Sequence, residues 1–290
     1  MTKNIICPAK INLFLEITGK REDGYHTIDT LMHTVALSDA LLVDVTRGEG
    51  IIKLSATGNT PIPTDEKNIA YRAAQKYLTA FEIKGYDISV SIDKKIPVSA
   101  GLGGGSTDGS GVLRALESVF NIGDRETLDK IALSVGADLP FCMYGGCMRA
   151  RGIGEILAPV SEMPKDMTIV IAKGARGVNT AKAYSDADAQ SGYIPKSAED
   201  IIKKLENSDK TFTDCLFNRF EDTVFKDIPE IKEIKDFLMK QGATASLMSG
   251  SGSAVYAFFE DKKNASAVCE SLVSRDIFAC VTYALGRADF

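Results

Sequence analysis

The chain has 290 residues, 44% of them hydrophobic and 25% charged, which is enough apolar material for one large domain or two modest ones. Its formal net charge of -5 gives no general attraction to phosphate backbones or anionic membranes, so nucleic acid is excluded as a main partner. No run of about 18 apolar residues occurs, and the N-terminal stretch MTKNIICPAKINLF lacks a secretory core with a cleavage site; the expectation is a soluble, cytoplasmic protein with no membrane partner.

The first informative stretch is CPAKINLFLEITG, apolar and strand-like apart from Lys10. A lysine in that setting either reaches solvent from an edge strand or is buried with a partner. In KREDGYHTIDT, residues 20 to 30, Asp23 and Gly24 predict a turn that presents Tyr25 and His26. An aromatic beside an imidazole can stack on and hydrogen-bond a nucleobase, although a solvated turn explains the same residues.

From 68 to 81, Ile69, Ala73, Tyr77 and Phe81 have helical spacing. From 86 to 92, Tyr86, Ile88, Val90 and Ile92 alternate with Asp87, Ser89 and Ser91, the period of a half-buried strand. That strand leads into PVSAGLGGGSTDGSGVLRALE, where an apolar face of Val112, Leu113, Leu116, Val119 and Phe120 predicts a helix beginning just after Gly105, with Ser106 or Thr107 as its cap. Residues without a Cβ admit positive φ and let a ligand approach the main chain. Free N–H groups and the helix macrodipole at such an end make an anion site, suited to phosphate.

A Walker loop needs a lysine after the glycines, and none follows. The dinucleotide fingerprint fails too, because Ser106 or Asp108 falls where its last glycine belongs. A hinge loop is the remaining alternative, and a hinge has no need of a helix with hydroxyls at its start. Gly109 and Gly111 should each weaken the helix interior by about 1 kcal/mol relative to Ala, which predicts a first turn prone to fray when empty.

Asp124 is placed to cap a helix carrying Leu128, Ile131, Ala132 and Val135. In VGADLPFCMYGG, Asp138 is framed by small and apolar residues; it is either a partly desolvated carboxylate or the cap of a turn before Pro140. The polar stretch PVSEMPKD, 159 to 166, is the best candidate for a domain junction. Beyond it come a strand at 167 to 172, a helix with Ile231, Ile234, Phe237 and Leu238, a strand at 253 to 259, a helix at 264 to 273 and a strand at 277 to 285. This alternation argues for an α/β or α+β sandwich in each half. MSGSGSAVY, 248 to 256, is a second close-approach loop or only a tight turn. The cysteines at 7, 142, 147, 215, 269 and 280 contain no C-x-x-C pair and accompany only two histidines, so they read as reduced core thiols.

Taken together, PVSAGLGGGSTD resembles the central phosphate-binding motif of the galactokinase, homoserine kinase, mevalonate kinase and phosphomevalonate kinase (GHMP) superfamily, and SLMSGSGSAVYAFF resembles its third motif. PAKINLFLEITGKREDGYHTIDTLM, GADLPFCMYGG followed by RGIGEIL, and GVNTAKAY are most similar to the 4-diphosphocytidyl-2-C-methyl-D-erythritol kinase family within it. The resemblance covers most of the chain; residues 185 to 215 match little of it.

The resemblance implies an α+β, two-domain GHMP kinase fold. Residues 1–160 would form an N-terminal domain of the ribosomal protein S5 domain 2 type, and residues 161–290 a C-terminal ferredoxin-like α/β sandwich. The implied activity is ATP-dependent phosphorylation of the 2-hydroxyl of a cytidyl-diphosphate sugar alcohol, in the non-mevalonate route to isoprenoid precursors. Lys10 and Asp138 would be a catalytic pair, the carboxylate taking the hydroxyl proton. Pro97, Val98, Ser99, Ala100, Gly101, Leu102, Gly103, Gly104, Gly105, Ser106 and Thr107 would wrap the phosphates of ATP, with Ser106 reaching Mg2+. Asn68 and Lys94 would lie near the adenine. Asn12, Tyr25, His26, Thr180 and Tyr184 would hold the cytidyl substrate, with the two tyrosines sandwiching the cytosine and His26 reading its edge. Rival readings keep the fold but change the acceptor to mevalonate, homoserine or a sugar, or make the chain a nucleotide-binding module without turnover. A small aliphatic acceptor needs no aromatic clamp, which separates the first rival from the leading reading.

Overall fold

The structure, a computed structural model, describes residues 1–58, 60–190 and 192–289. In chain order the elements are β1 (Thr2–Lys20), β2 (His26–Arg47), β3 (Ile52–Gly58), α1 (Ile69–Ala80), β4 (Tyr86–Lys94), α2 (Gly104–Phe120), α3 (Arg125–Val135), α4 (Leu139–Tyr144), β5 (Cys147–Gly152), β6 (Ile156–Pro159) and β7 (Thr168–Lys173). They continue with α5 (Thr180–Asp188), α6 (Glu199–Glu206), a 3₁₀ turn (Lys210–Cys215), β8 (Phe217–Asn218), α7 (Glu221–Asp227), α8 (Pro229–Lys240), β9 (Ala245–Met248), β10 (Val255–Phe259), α9 (Lys262–Val273) and β11 (Phe278–Thr282).

Two compact units result, and neither is a single stretch of chain. The first comprises Met1–Ala9, Leu37–Val98 and Gly103–Tyr144; the second comprises Lys10–Ala36, Ser99–Leu102 and Gly145–Phe290. They therefore do not coincide with the consecutive stretches 1–160 and 161–290. The physical reason is the length of β1 and β2, 19 and 22 residues, each of which runs out of one unit and into the other.

In the first unit, β4 pairs antiparallel with β2 from Ala40↔Asp93 to Arg47↔Tyr86 and parallel with β3 from Ile52↔Ile88 to Gly58↔Lys94. The alternation expected of residues 86 to 92 is observed: Ile88, Val90 and Ile92 are buried, while Ser89 and Ser91 face outward. The buried face packs on Ala70, Ala73 and Tyr77 of α1 and on Val112, Leu113 and Leu116 of α2. Asn68 caps α1 and Asp124 caps α3, each side chain accepting a first-turn N–H.

Gly109 and Gly111 prove to be packing residues inside a continuous α2. A Cβ at Gly109 would lie 2.7 Å from Ile69 Cγ2, and one at Gly111 would lie 2.3 Å from Cys7 Sγ. The helix sits too close to α1 and β1 for any larger side chain.

In the second unit, β11, β7, β10 and β9 form an antiparallel sheet in that order. Val170, Ala172, Val255 and Ala257 of this sheet pack against Ile231, Ile234 and Leu238 of α8 and Val268 and Leu272 of α9. The N-terminal half of β2 pairs with β5, and β8 runs parallel to β1 at Phe14↔Phe217. Among the described residues no cysteine is in a disulfide; Cys7, Cys142 and Cys147 are buried and the others half-buried. Among the described residues no helix is long and apolar enough to cross a membrane.

Candidate active site

The glycine loop takes positive φ at every second residue: Ser99 at 51°, Gly101 at 74° and Gly103 at 71°. Interleaved left-handed residues are the backbone pattern from which anion nests are built. Helix α2 starts at Gly104, earlier than the sequence predicts, and Gly103 is its N-cap with no side-chain cap. Ser106 and Thr107 do not cap; they lie inside the first turn, where the Thr107 N–H bonds the Gly103 carbonyl at 2.8 Å. Glycine explains the difference, because it enters the left-handed conformation without a Cβ penalty. The N-cap consequently offers no side chain to the first-turn N–H groups.

Behind this helix end is a buried charge cluster. Lys94 Nζ donates to Asp108 Oδ2 at 2.7 Å and to Asp39 Oδ2. Asp39 Oδ1 in turn accepts the N–H groups of Lys95 and Ile96 at 2.6 and 2.8 Å. Burial pushes the Asp108 carboxyl up to about 7, the neighbouring ammonium notwithstanding. Burial also opposes the Lys94 charge, but the two carboxylates outweigh it and hold the ammonium above its ordinary range. Thr107 Oγ1 and Asp108 Oδ1 are buried without a hydrogen-bond partner.

Lys94, expected near an adenine, thus has its charged end in this cluster. Asn68, expected beside it, has both amide atoms engaged: Oδ1 accepts from Ala70 N at 2.8 Å and Nδ2 donates to Pro63 O at 2.7 Å.

In the second unit, the stretch 248 to 256 is a close-approach loop. A Cβ on Gly101 would fall 2.0 Å from the Ser249 carbonyl oxygen. Ser249 Oγ donates to Gly101 O at 2.9 Å, and Ala254 N donates to Ala100 O at 3.0 Å. Asn218 Nδ2 ties down the other side, donating to Met248 O and Gly250 O at 2.6 and 2.8 Å.

Lys10 is 4% exposed, which removes the reading of an edge lysine reaching solvent. Its Nζ donates to Asn12 Oδ1 at 2.7 Å; Asn12 Nδ2 donates to Thr30 Oγ1 at 2.8 Å, and Thr30 Oγ1 to Phe14 O at 2.6 Å. A buried ammonium is thereby fixed in direction by two strands, with Asn12 as its strut. Asp138, in the first unit, is half-buried immediately before α4, and its carbonyl accepts the Cys142 N–H at 3.1 Å.

Tyr25 stands 62% exposed on the turn predicted at Asp23 and Gly24. His26 stacks on Tyr184 with ring centroids 4.4 Å apart and planes 15° from parallel. Tyr184 is in turn held edge-on by Phe220. Thr180, one helical turn before Tyr184 on α5, shares a 2.8 Å hydrogen bond between its Oγ1 and Ser251 Oγ. The sequence reading did not single out Asp39, Asp108 or Asp188, whose carboxylate lies 2.9 Å from His26 Nε2.

Known proteins extend these observations. The sequence models of the GHMP kinases N terminal domain and GHMP kinases C terminal match residues 68–146 and 189–276. A 4-diphosphocytidyl-2-C-methyl-D-erythritol kinase of Clostridium novyi (strain NT) is 36% identical over 269 residues, 92% of this chain and 94% of the relative. One of Caldicellulosiruptor bescii is 38% identical over 266 residues, 91% and 92% of the two chains.

Among solved structures, a 4-(cytidine 5'-diphospho)-2C-methyl-D-erythritol kinase aligns over 98% of this chain and all 100% of its own, with a TM-score of 0.81 at 31% identity. A homoserine kinase from Cytophaga hutchinsonii has a TM-score of 0.75 at 19% identity, covering 99% of this chain and 96% of its own, a likeness of fold. With both family domains along its length and relatives above 30% identity matched nearly end to end, the chain has the two-domain GHMP kinase fold and belongs to the 4-diphosphocytidyl-2-C-methyl-D-erythritol kinase family of the GHMP kinases.

Proposed function

We propose that this protein transfers the γ-phosphoryl group of ATP to the 2-hydroxyl of 4-diphosphocytidyl-2-C-methyl-D-erythritol. The observation that carries the reading is the 36% and 38% identity, over nine-tenths of the chain, to relatives bearing that name. A bond forms between the substrate's 2-oxygen and the γ-phosphorus, the bond to the β,γ-bridging oxygen breaks, the hydroxyl proton passes to Asp138, and ADP leaves.

Residues 97 to 107 bind the phosphates in this reading. Support comes from the left-handed residues of the loop and from the uncapped start of α2, where N–H groups and the macrodipole favour an anion. Asn68 and Lys94 serve the nucleotide end as supports, one capping α1 and the other anchoring α2 from within. Lys10 offsets negative charge that develops during transfer. Its burial and its anchoring on Asn12 support that role, because a preorganised cation needs no reorientation when the charge appears. Tyr25, His26, Asn12, Thr180 and Tyr184 hold the cytidyl part, a role that the parallel His26 and Tyr184 rings and the exposed Tyr25 favour.

Among the described residues no cluster of His, Cys, Asp and Glu forms a cage for a metal ion. That fits Mg2+ arriving with the triphosphate, since this ion keeps several waters and relies on substrate phosphates. Ser106, inside the first turn of α2, offers a hard hydroxyl oxygen, and Thr107 Oγ1 beside it has no hydrogen-bond partner. When bound there, Mg2+ neutralises phosphate charge.

The test is ADP release measured with the cytidyl substrate, mevalonate, homoserine and galactose in parallel. Release is expected with the cytidyl substrate alone. Comparable turnover on any of the other three would reassign the acceptor.

A further inference from the structure

We propose that Asp188, clamped by Lys20, is a positioning residue that fixes the tautomer of His26 and so makes the site accept a pyrimidine with a 4-amino group over one with a 4-carbonyl. The proposal rests on the cytidyl reading of the site for its ligand, but its structural half stands apart from it.

The geometry lies within one unit. Both carboxylate oxygens of Asp188 approach His26 Nε2, at 2.9 and 3.0 Å, and Lys20 Nζ donates to Oδ2 at 2.7 Å. The Lys20 hydrogen bond, helped by His26, holds the Asp188 carboxyl below the usual carboxylate range. An ionised carboxylate only accepts hydrogen bonds. His26 Nε2 must therefore carry the proton, and in the neutral imidazole Nδ1 is left as a lone pair. Stacking on Tyr184 opposes a flip of the ring about Cβ–Cγ, which would put a carbon where each nitrogen stands. An acceptor at Nδ1 suits the 4-amino group of cytosine and opposes the 4-oxygen of uracil, lone pair against lone pair. A site built around one hydrogen-bond polarity rejects the ligand of opposite polarity.

The other histidine supplies an internal contrast. His33 Nδ1 lies 2.9 Å from the Thr34 carbonyl oxygen and must donate, whereas its Nε2 accepts the Met163 N–H at 3.2 Å. Burial pushes its pKa down and keeps it neutral. The chain has two histidines, and the structure assigns them opposite tautomers.

Long-range proton–nitrogen NMR of the whole protein, labelled with nitrogen-15 at histidine, reads this directly and needs no substrate. One imidazole should show the Nδ1–H pattern and the other the Nε2–H pattern, with His26→Gln removing the latter. Asp188→Ala should release His26 to a mixture while leaving His33 unchanged, and Asp188→Glu should restore the Nε2–H form. A His26 in the Nδ1–H form, or one indifferent to Asp188→Ala, would overturn the proposal.

The ligand half is read by the ratio of cytidine diphosphate to uridine diphosphate affinity, expected to fall about tenfold or more in Asp188→Ala. A ratio unchanged from wild type would also sink it, since a side chain that only braced α5 would weaken both ligands alike. Should the wild type fail to phosphorylate the cytidyl substrate, the functional reading falls, while the spectra still decide the tautomer.

Discussion

Gly111→Ala is the sharpest test of how α2 is packed. By helix propensity alone the substitution should stabilise the protein by about 1 kcal/mol. The structure predicts the opposite sign, because the new methyl would lie 2.3 Å from Cys7 Sγ, with Leu41 Cδ2 at 3.3 Å and Ile5 Cγ2 at 3.4 Å closing the way out. Overpacking of this kind costs about 1–3 kcal/mol. With contact this short the upper part of that range applies, and the net expectation is a loss of about 1–2 kcal/mol. Cys7→Ala removes the obstructing sulfur, so in the double variant the alanine methyl fills the space left behind. The coupling between the two changes should be about 1–2 kcal/mol in the stabilising direction. The chain has no Trp, so urea unfolding is best followed by circular dichroism. A Gly111→Ala variant more stable than wild type, or a coupling near zero, would refute the packing argument.

Asp138→Asn should leave ATP binding largely intact and lower turnover by about a hundredfold or more, the scale of a lost general base; turnover like wild type removes Asp138 from the mechanism. Tyr25→Ala should raise the apparent KM for the cytidyl substrate far more than that for ATP, and equal effects in steady-state kinetics would count against an aromatic clamp. Asp108 has its carboxyl pushed up to about 7, so between roughly pH 4 and 7 the folded state binds more protons than the unfolded one and stability falls as pH rises through that window. Asp108→Asn should flatten this slope by a few kcal/mol in urea titrations across the window, and an undiminished slope would place its origin elsewhere.

The buried charge cluster marks where local sequence stops being enough. The two-residue period that buries Ile88, Val90 and Ile92 also lands on Lys94, so a lysine on the inner face was legible from alternation alone. Its partners were not, because Asp39 is 55 positions away and reaches it only through strand pairing. Lys10 is similar: an apolar strand announces an unusual lysine, and Asn12 two residues on supplies its partner, yet burial of both depends on the surrounding strands. The make-up of the compact units is hidden from local sequence for a related reason. A polar, proline-containing stretch at 159 to 166 looks like a junction, but strands of 19 and 22 residues carry the chain across earlier. The cap of α3 fared better than that of α2, since Asp124 needs only the N–H of Thr127 three residues away.

The caps also explain why the glycine loop looks as it does. α1, α3, α5 and α9 begin at Asn68, Asp124, Asn179 and Asp261, each accepting a first-turn N–H with its side chain. α6, α7 and α8 lack such a cap but carry Glu or Asp in the first turn. α2 has neither, and its N-cap is Gly103. Glycine at that position costs only a few tenths of a kcal/mol relative to a capping side chain, so leaving the end open is cheap in stability. A carboxylate or hydroxyl there would occupy the N–H groups and cancel the positive end of the helix, the two features that attract an anion. The carboxylates of Asp108 and Asp39 behind the helix start are both turned onto Lys94, whose ammonium lies behind Gly104. Those carboxylates are thus engaged away from the open end, and a phosphate approaching α2 meets a helix start that no N-cap side chain occupies.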